Sequence, residues 1–102
     1  MSETRYSLYI LRCADDSLYT GIATDVERRL SEHRDGKRGA RYLRGRAPFK
    51  IVFQHNAGDR GSAQSLEYRV KRLSKEHKEA LVCGTALLAD LLPQLDGSAG
   101  DA

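Results

Sequence analysis

The sequence predicts a small α/β domain whose elements follow the order β-β-α-β-α, with a further helix near the C-terminus. Residues 6–11 and 18–23 are short apolar runs separated by a polar turn, which is typical of a β-hairpin. Two later segments place apolar residues at helical spacing, and a third apolar run at 49–55 lies between them. A chain of 102 residues suits one such domain.

The hairpin is predicted from its turn and from its first strand. Residues 14–17, Ala-Asp-Asp-Ser, have the short polar side chains that favour a turn. Even- and odd-numbered residues of the first strand face opposite sides of the sheet, and both sets are largely apolar. We therefore expect this strand to be covered on both faces. Gly21 in the second strand marks a bend or a close approach of the backbone to another group.

The first helix is predicted to begin at Thr24 and to end near Gly36. Thr24 and Glu27 have the spacing of a capping box, with Thr24 as the N-cap. Val26 and Leu30 begin an apolar face at helical spacing. A glycine can adopt the left-handed conformation that ends many helices, which favours the stop at Gly36.

The second half of the chain predicts one strand and further helices. The third strand covers 49–55 and is followed by a turn at 56–59. An apolar stripe predicts a helix over 62–74, capped by Ser62 or its neighbour. Residues 75–82 continue this helix or restart it after a kink. Thr85 is the predicted cap of a last short helix that ends at Leu92, before a proline.

Composition limits the class of protein. No apolar run approaches the roughly 20 residues that a membrane-spanning helix needs. The N-terminal residues lack the apolar segment of a secretory signal. Cys13 and Cys83 form no Cys-x-x-Cys pair, so we expect a cytoplasmic protein with reduced thiols. We expect residues 1–95 to form the domain and residues 96–102, rich in Gly, Ala and Asp, to form a disordered tail.

Basic residues are concentrated in one segment. Residues 28–50 hold nine basic and two acidic side chains, a net charge of +7, whereas residues 83–102 hold three aspartates and no Lys or Arg. Seven of the nine basic residues are arginines, which favours bidentate contacts with phosphate over a merely solubilising surface. The candidate nucleic-acid contacts are Arg28, Lys37, Arg38, Arg41, Tyr42, Arg44 and Arg46.

Five residues form the candidate catalytic set: Tyr9, Tyr19, Arg29, His33 and Glu67. Hydrolysis of a phosphodiester needs a base for water, a cation for the phosphate and, in most cases, a metal ion. A tyrosine, with an ordinary pKa of about 10, needs positive charge nearby to act as that base. Structural roles compete with these: tyrosines pack across hairpins, and Glu67 has Lys71 four residues later as an ion-pair partner.

The spacing of this set resembles the GIY-YIG endonuclease superfamily. Residues 7–9, Ser-Leu-Tyr, stand where the family has Gly-Ile-Tyr, and residues 19–21, Tyr-Thr-Gly, stand for Tyr-Ile-Gly. Arg29, His33 and Glu67 match the family's helix arginine, the histidine of many members and the metal-binding glutamate. Over residues 5–80 the chain is most similar to small stand-alone bacterial members, which are related to the nuclease domain of the excinuclease C subunit.

The chain departs from the family pattern at three points. Ser7 replaces the first glycine of the motif, and Ile22 stands where some members carry a lysine near the phosphate. Some members carry an asparagine beyond the glutamate, but no asparagine follows Glu67. These departures bear on the rate and the substrate more than on the fold.

The resemblance implies a three-stranded, mainly antiparallel sheet flanked by helices, and metal-dependent cleavage of DNA in repair or recombination. Tyr9 is then the general base, and Tyr19 positions water or phosphate. Arg29 stabilises the phosphoryl charge, His33 assists proton transfer, and Glu67 binds Mg²⁺ or Mn²⁺.

Two other functions remain open from the sequence. One is a nucleic-acid-binding protein that keeps the scaffold without catalysis. The other is a subunit-interaction module, in which the apolar C-terminal helix docks a partner; its leucines are Leu87, Leu88, Leu91, Leu92 and Leu95. The oligomeric state and the choice between DNA and RNA, or between duplex, branched and single-stranded substrates, are also open.

Overall fold

The computed structural model describes residues 4–35 and 41–92. Its elements follow the predicted order, so the predicted fold class is confirmed. They are β1 (Tyr6–Arg12), β2 (Leu18–Ala23), α1 (Val26–Asp35), a 3₁₀ turn (Arg41–Leu43), β3 (Lys50–Gly58), α2 (Arg60–Lys71), α3 (Lys75–Cys83) and α4 (Leu88–Leu91). The predicted tail at 96–102 and the candidate contacts Lys37 and Arg38 lie outside the described residues. Within the described ranges, no helix has the length and apolar character needed to cross a membrane.

The three strands form one antiparallel sheet in the order β2-β1-β3. β1 is therefore the central strand, and its residues 8–11 are almost completely buried. Both sets of alternating side chains on β1 are covered, as the apolar character of both faces predicted.

Each face of the sheet carries its own part of the core. On one face, side chains of β1 pack against α1 and the segment after it: Tyr9, Leu11, Cys13, Val26, Leu30, Leu43 and Phe49. On the other face, β1 packs against α2, α3 and α4: Leu8, Ile10, Leu66, Val70, Leu81 and Leu88. The sheet thus lies between two helical layers, and α1 and α2 approach it from opposite sides.

The last helix faces the core of its own chain. Leu88 is buried, and Leu91 and Leu92 pack against the same core cluster. Leu87 alone among the four described leucines of this segment is largely exposed. Most of the apolar surface that suggested a partner-binding helix is therefore used within the molecule.

Two helix caps differ from the prediction. α1 is capped by Asp25, whose Oδ1 accepts a hydrogen bond from the backbone N–H of Arg28 at 3.1 Å, and not by Thr24. α2 is capped by Asp59, whose Oδ1 accepts from the N–H of Ser62 at 2.8 Å. Each aspartate lies one to three residues from the predicted cap and has the same capping chemistry, so sequence alone could not choose between them.

Two further boundaries also differ. β3 continues to Gly58 through residues predicted to form a turn, because residues 54–58 still pair with β1. The final helix begins after Leu87, and the Thr85 hydroxyl donates instead to the carbonyl oxygen of Ala80 at 3.4 Å. The restart at residue 75 is confirmed, since Ser74 caps α3.

Candidate active site

The first tyrosine is placed by the central strand. Tyr9 is 1% exposed and is the cross-strand partner of Gly21 on β2. A Cβ atom on Gly21 would lie 2.6 Å from the Tyr9 hydroxyl oxygen, so the Tyr9 side chain lies against the backbone of β2. The close approach predicted at this glycine is confirmed, and its partner is the Tyr9 side chain.

The hydroxyl of Tyr9 meets two side chains of α1. It lies 2.9 Å from Nε2 of His33, in a buried hydrogen bond between residues 24 positions apart. The Arg29 guanidinium also donates a hydrogen bond to it. Arg29 and His33 are one helical turn apart, so a single face of α1 presents both groups to β1.

Burial and nearby charges determine whether the proton between Tyr9 and His33 resides on the phenol or on the imidazole. Burial raises the pKa of Tyr9 above 10, and the nearby Tyr19 and Glu67 add to this effect, whereas Arg29 opposes it. Burial and the charge of Arg29 lower the pKa of His33. Arg29 does lower the pKa of Tyr9, as expected for a nearby positive charge, but burial outweighs it and the net shift is upward. At neutral pH Tyr9 keeps its proton and can donate it to a neutral His33.

Arg29 borders a cleft at the junction of β2 and α1. The cleft has a volume of about 230 Å³ and is lined by residues 22–25, Arg28, Arg29 and Glu32. Arg29 donates to Glu32 at 2.8 Å, and Arg28 lies 3.6 Å from the same carboxylate. Both arginines are therefore held by Glu32 at the edge of the cleft, and Arg29 also interacts with Tyr9.

The second tyrosine lies among aromatic and cationic groups. The Tyr19 ring centre is 6.4 Å from that of Tyr9 and 5.6 Å, edge to face, from that of His33. Tyr42 stacks on Tyr19 at 5.8 Å, and the Lys71 ammonium lies 5.8 Å from the Tyr19 ring centre. Burial raises the pKa of Tyr19, and Lys71 opposes that rise.

Tyr42 and Arg46 have partners within the molecule. The Arg46 guanidinium lies 4.3 Å from the Tyr42 ring centre and donates to the Tyr42 carbonyl oxygen at 2.8 Å. Arg46 also forms an ion pair with Asp15 in the hairpin turn. The hairpin turn and the 3₁₀ turn thus hold Tyr42 against Tyr19. Arg41 and Arg44 of the same segment are exposed, and their predicted contacts with nucleic acid stay predictions.

Glu67 reaches the same region from the opposite layer. Its carboxylate lies 3.3 Å from the Lys71 ammonium, so the ion pair foreseen from the sequence is present. The side chain is 23% exposed and acts electrostatically on both Tyr9 and Tyr19. The structure therefore brings all five predicted catalytic residues into one region.

The comparison with protein families decides the class of the molecule. The model described as the GIY-YIG catalytic domain matches residues 5–80. The chain belongs to the GIY-YIG family. A UPF0213 protein of Yersinia pestis (strain Pestoides F) is 56% identical over 82 residues, which cover 80% of this chain and 85% of the relative. A UPF0213 protein of Yersinia pseudotuberculosis (serotype O:3, strain YPIII) has the same identity and coverage.

Solved structures of similar chains agree with this fold. The solution NMR structure of a UPF0213 protein from Bacillus halodurans has 47% identity and a TM-score of 0.50, covering 78% of this chain and 83% of the other. The solution NMR structure of a protein from E. faecalis has 31% identity and a TM-score of 0.57, covering 82% and 88%. The family resemblance found in the sequence motifs is confirmed.

GIY-YIG nucleases generally use divalent metal ions. Among the described residues, no three His, Cys, Asp or Glu side chains are grouped so that they could hold a metal ion together. Glu67 is a single, partly exposed carboxylate. Mg²⁺ is commonly bound by one or two carboxylates, substrate phosphates and several waters, so Glu67 fits a hydrated ion of this type.

Two features of this GIY-YIG site were missed from the sequence. The sequence indicates Lys71 only as a partner of Glu67, yet its ammonium also lies over the Tyr19 ring. The chain of contacts from Asp15 through Arg46 to Tyr42 was not foreseen. No sequence pattern could reveal either, because the groups come from separate elements that meet only in the tertiary structure.

Proposed function

We propose that this GIY-YIG protein is a divalent-metal-dependent endonuclease that hydrolyses phosphodiester bonds in DNA. Membership of the family supports nuclease chemistry. The observation that carries the proposal is the buried hydrogen bond of 2.9 Å between Tyr9 and His33, with Arg29 donating to the same hydroxyl. A buried phenol, imidazole and guanidinium in contact form a proton-transfer group next to a cation for phosphate.

The proton path follows from the directions of the two pKa shifts. The pKa of Tyr9 is raised and that of His33 is lowered, so the resting pair is a neutral phenol and a neutral imidazole. As a water oxygen attacks phosphorus, its proton passes to the Tyr9 oxygen while the Tyr9 proton passes to Nε2 of His33. His33 then becomes imidazolium, which the nearby Glu32 carboxylate favours. Tyr9 is thus the immediate base and His33 the final proton acceptor.

The remaining residues handle the phosphate. Arg29 lines the cleft and also interacts with Tyr9, and it neutralises charge on the phosphoryl oxygens. Tyr19 is less buried than Tyr9 and positions water or phosphate. Glu67 would hold Mg²⁺ or Mn²⁺, whose charge stabilises the oxygens as negative charge develops.

The test is cleavage of a panel of labelled DNA substrates with Mg²⁺, with Mn²⁺ and with EDTA. We expect cleavage with either metal, none in EDTA, and a loss of orders of magnitude in Glu67→Gln. Glu76→Gln, which changes an exposed carboxylate on α3, is the matched control and should keep full activity. Cleavage in EDTA, or full activity of a folded Glu67→Gln protein, would overturn the proposal.

A second function has one observation in its favour. The carboxylate of Glu67 is already paired with Lys71, as it would be in a protein that binds nucleic acid without a metal. Such a protein would bind the same panel in EDTA and would cut none of it with either metal. A role in DNA repair or recombination and a cytoplasmic location stay predictions from the sequence.

A further inference from the structure

One exposed surface of α2 has no role in the proposed reaction. Tyr68 is 63% exposed, and the Arg72 guanidinium lies 5.4 Å from its ring centre and 3.3 Å from its hydroxyl. Tyr68, Arg69 and Arg72 line a groove of about 420 Å³ whose remaining wall is Leu73 and Leu92. We call Tyr68, Arg69, Lys71 and Arg72 the α2 face.

The α2 face is continuous with the candidate active site. Lys71 holds its ammonium 5.8 Å from the centre of the Tyr19 ring. Tyr68 lies one turn before Arg72, and both are on the side of α2 away from the buried Leu66 and Val70. A path therefore leads from Tyr19 over Lys71 to the Tyr68 ring and the groove beyond it.

The charges of the α2 face favour binding of a polyanion. Residues 68–72 contain three basic side chains, one buried valine, one exposed tyrosine and no acidic residue. A surface that combines cations with an exposed aromatic ring is how proteins bind single-stranded nucleic acid, because bases stack on the ring while the cations follow the phosphates. In a duplex the bases are already stacked on each other, so an exposed ring contributes much less to the affinity for a duplex.

We propose that the α2 face binds a single-stranded segment of nucleic acid next to the bond that is cut. The inference rests on the proposed function and narrows its substrate to DNA in which a duplex adjoins a single-stranded arm. Tyr68 stacks on a base of that arm, and Arg69, Lys71 and Arg72 contact its phosphates.

The first experiment measures binding in EDTA, so that it does not depend on cleavage. A labelled single strand and a blunt duplex of the same length are titrated by fluorescence anisotropy. Stacking of one base is worth about 1–3 kcal/mol, so Tyr68→Ala should weaken single-strand binding by about 5- to 150-fold and leave duplex binding nearly unchanged. Tyr68→Phe keeps the ring and should bind like wild type. Leu87→Ala is the control, because it removes an apolar side chain that is 65% exposed and lines a different groove.

The second experiment tests the phosphate contacts. Arg69→Gln and Arg72→Gln should each reduce the slope of log affinity against log salt by about 0.7 for the single strand. Unchanged single-strand binding in Tyr68→Ala, or an equal loss of affinity for both substrates, would overturn the proposal.

A third measurement distinguishes a failure of the single-strand proposal from a failure of the proposed nuclease activity. With metal, wild type should cut a duplex bearing a single-stranded arm faster than a blunt duplex, and Tyr68→Ala should reduce that preference. Selective loss of single-strand binding in Tyr68→Ala supports the face even if no metal supports cleavage. Cleavage of blunt and armed substrates at the same rate by wild type would overturn the assignment of the substrate while leaving the nuclease intact.

Discussion

A Cβ atom on Gly21 would lie 2.6 Å from the hydroxyl oxygen of Tyr9 and 2.7 Å from the ring carbon that bears it. The two residues face each other across β1 and β2. Since Tyr9 is packed on its other sides by the core, its ring has little room to move away. Glycine at position 21 therefore allows Tyr9 to point its hydroxyl at His33.

Gly21→Ala should both destabilise the protein and displace the Tyr9 hydroxyl. Overpacking of this kind costs about 1–3 kcal/mol, and thermal melting should detect it. Cleavage should fall further than the loss of folded protein explains, because the contact with His33 is disturbed. Gly61→Ala is the control, since the nearest atom to its Cβ would be 3.8 Å away. A Gly21→Ala protein with wild-type stability and activity would contradict the structure.

Tyr9→Phe should lower turnover by about 10²–10⁴, the usual contribution of a general base. DNA binding and metal binding should be unchanged, because only a buried hydroxyl is removed. Loss of a partner for the buried His33 nitrogen should cost about 1–3 kcal/mol of stability. Single-turnover rates and dissociation constants would be compared with Tyr6→Phe, which removes a hydroxyl from the same strand. Equal effects of the two changes would show that Tyr9 has no specific role.

The rate should depend on the protonation of His33, which must be neutral to accept a proton. Its pKa lies below 6.5 because of burial and Arg29, so the single-turnover rate should be flat near pH 7 and fall at acid pH. The raised pKa of Tyr9 predicts no inflection at pH 10. An inflection there, with none in acid, would favour direct ionisation of the tyrosine instead of the relay.

The lowered pKa of His33 also predicts how the stability of the folded protein depends on pH. In the unfolded chain His33 titrates near 6.5, whereas in the folded protein it titrates lower. The unfolded state therefore binds more protons below pH 6.5. The contribution of His33 to stability should be complete above that pH and lost as the pH falls toward its folded pKa. Melting temperatures of wild type and His33→Gln across this range would measure it.

Lys71→Met should strengthen metal binding in the absence of DNA. Lys71 lies 3.3 Å from the Glu67 carboxylate and competes with a divalent cation for it. Such partly exposed pairs are worth about 0.2–1 kcal/mol, so Mn²⁺ affinity should rise by a factor of about 1.4 to 5. Lys75→Met removes an i,i+4 pair with Glu79 on the next helix, α3, and should leave affinity unchanged. Weaker binding in Lys71→Met would contradict the assignment of Glu67.

Replacing Arg44 and Arg46 one at a time should distinguish an arginine that contacts nucleic acid from one that also stabilises the fold. Arg44 is exposed, so Arg44→Gln should reduce the salt slope of duplex binding by about 0.9 and leave melting unchanged. Arg46→Gln should also lower the melting temperature, because Arg46 holds Tyr42 and Asp15. An unchanged slope in Arg44→Gln would remove this residue from the binding surface.

The amino-acid sequence by itself determined the elements, their order and the family. Both faces of the first strand are apolar, and this alone predicted a strand covered on both sides. The spacing of Arg29 and His33 placed both on one helix face, because helical neighbours are fixed by local geometry. These properties depend on residues close together in the chain, so a sequence pattern records them.

The tertiary structure alone decided how the site is built. Tyr9 meets His33 across 24 positions, and Lys71 meets Tyr19 only because α2 packs on the sheet. The direction of the Tyr9 pKa shift could not be foreseen, since it depends on the balance between burial and the charge of Arg29. Burial is set by every element that packs around a group, and neighbours along the chain do not determine it.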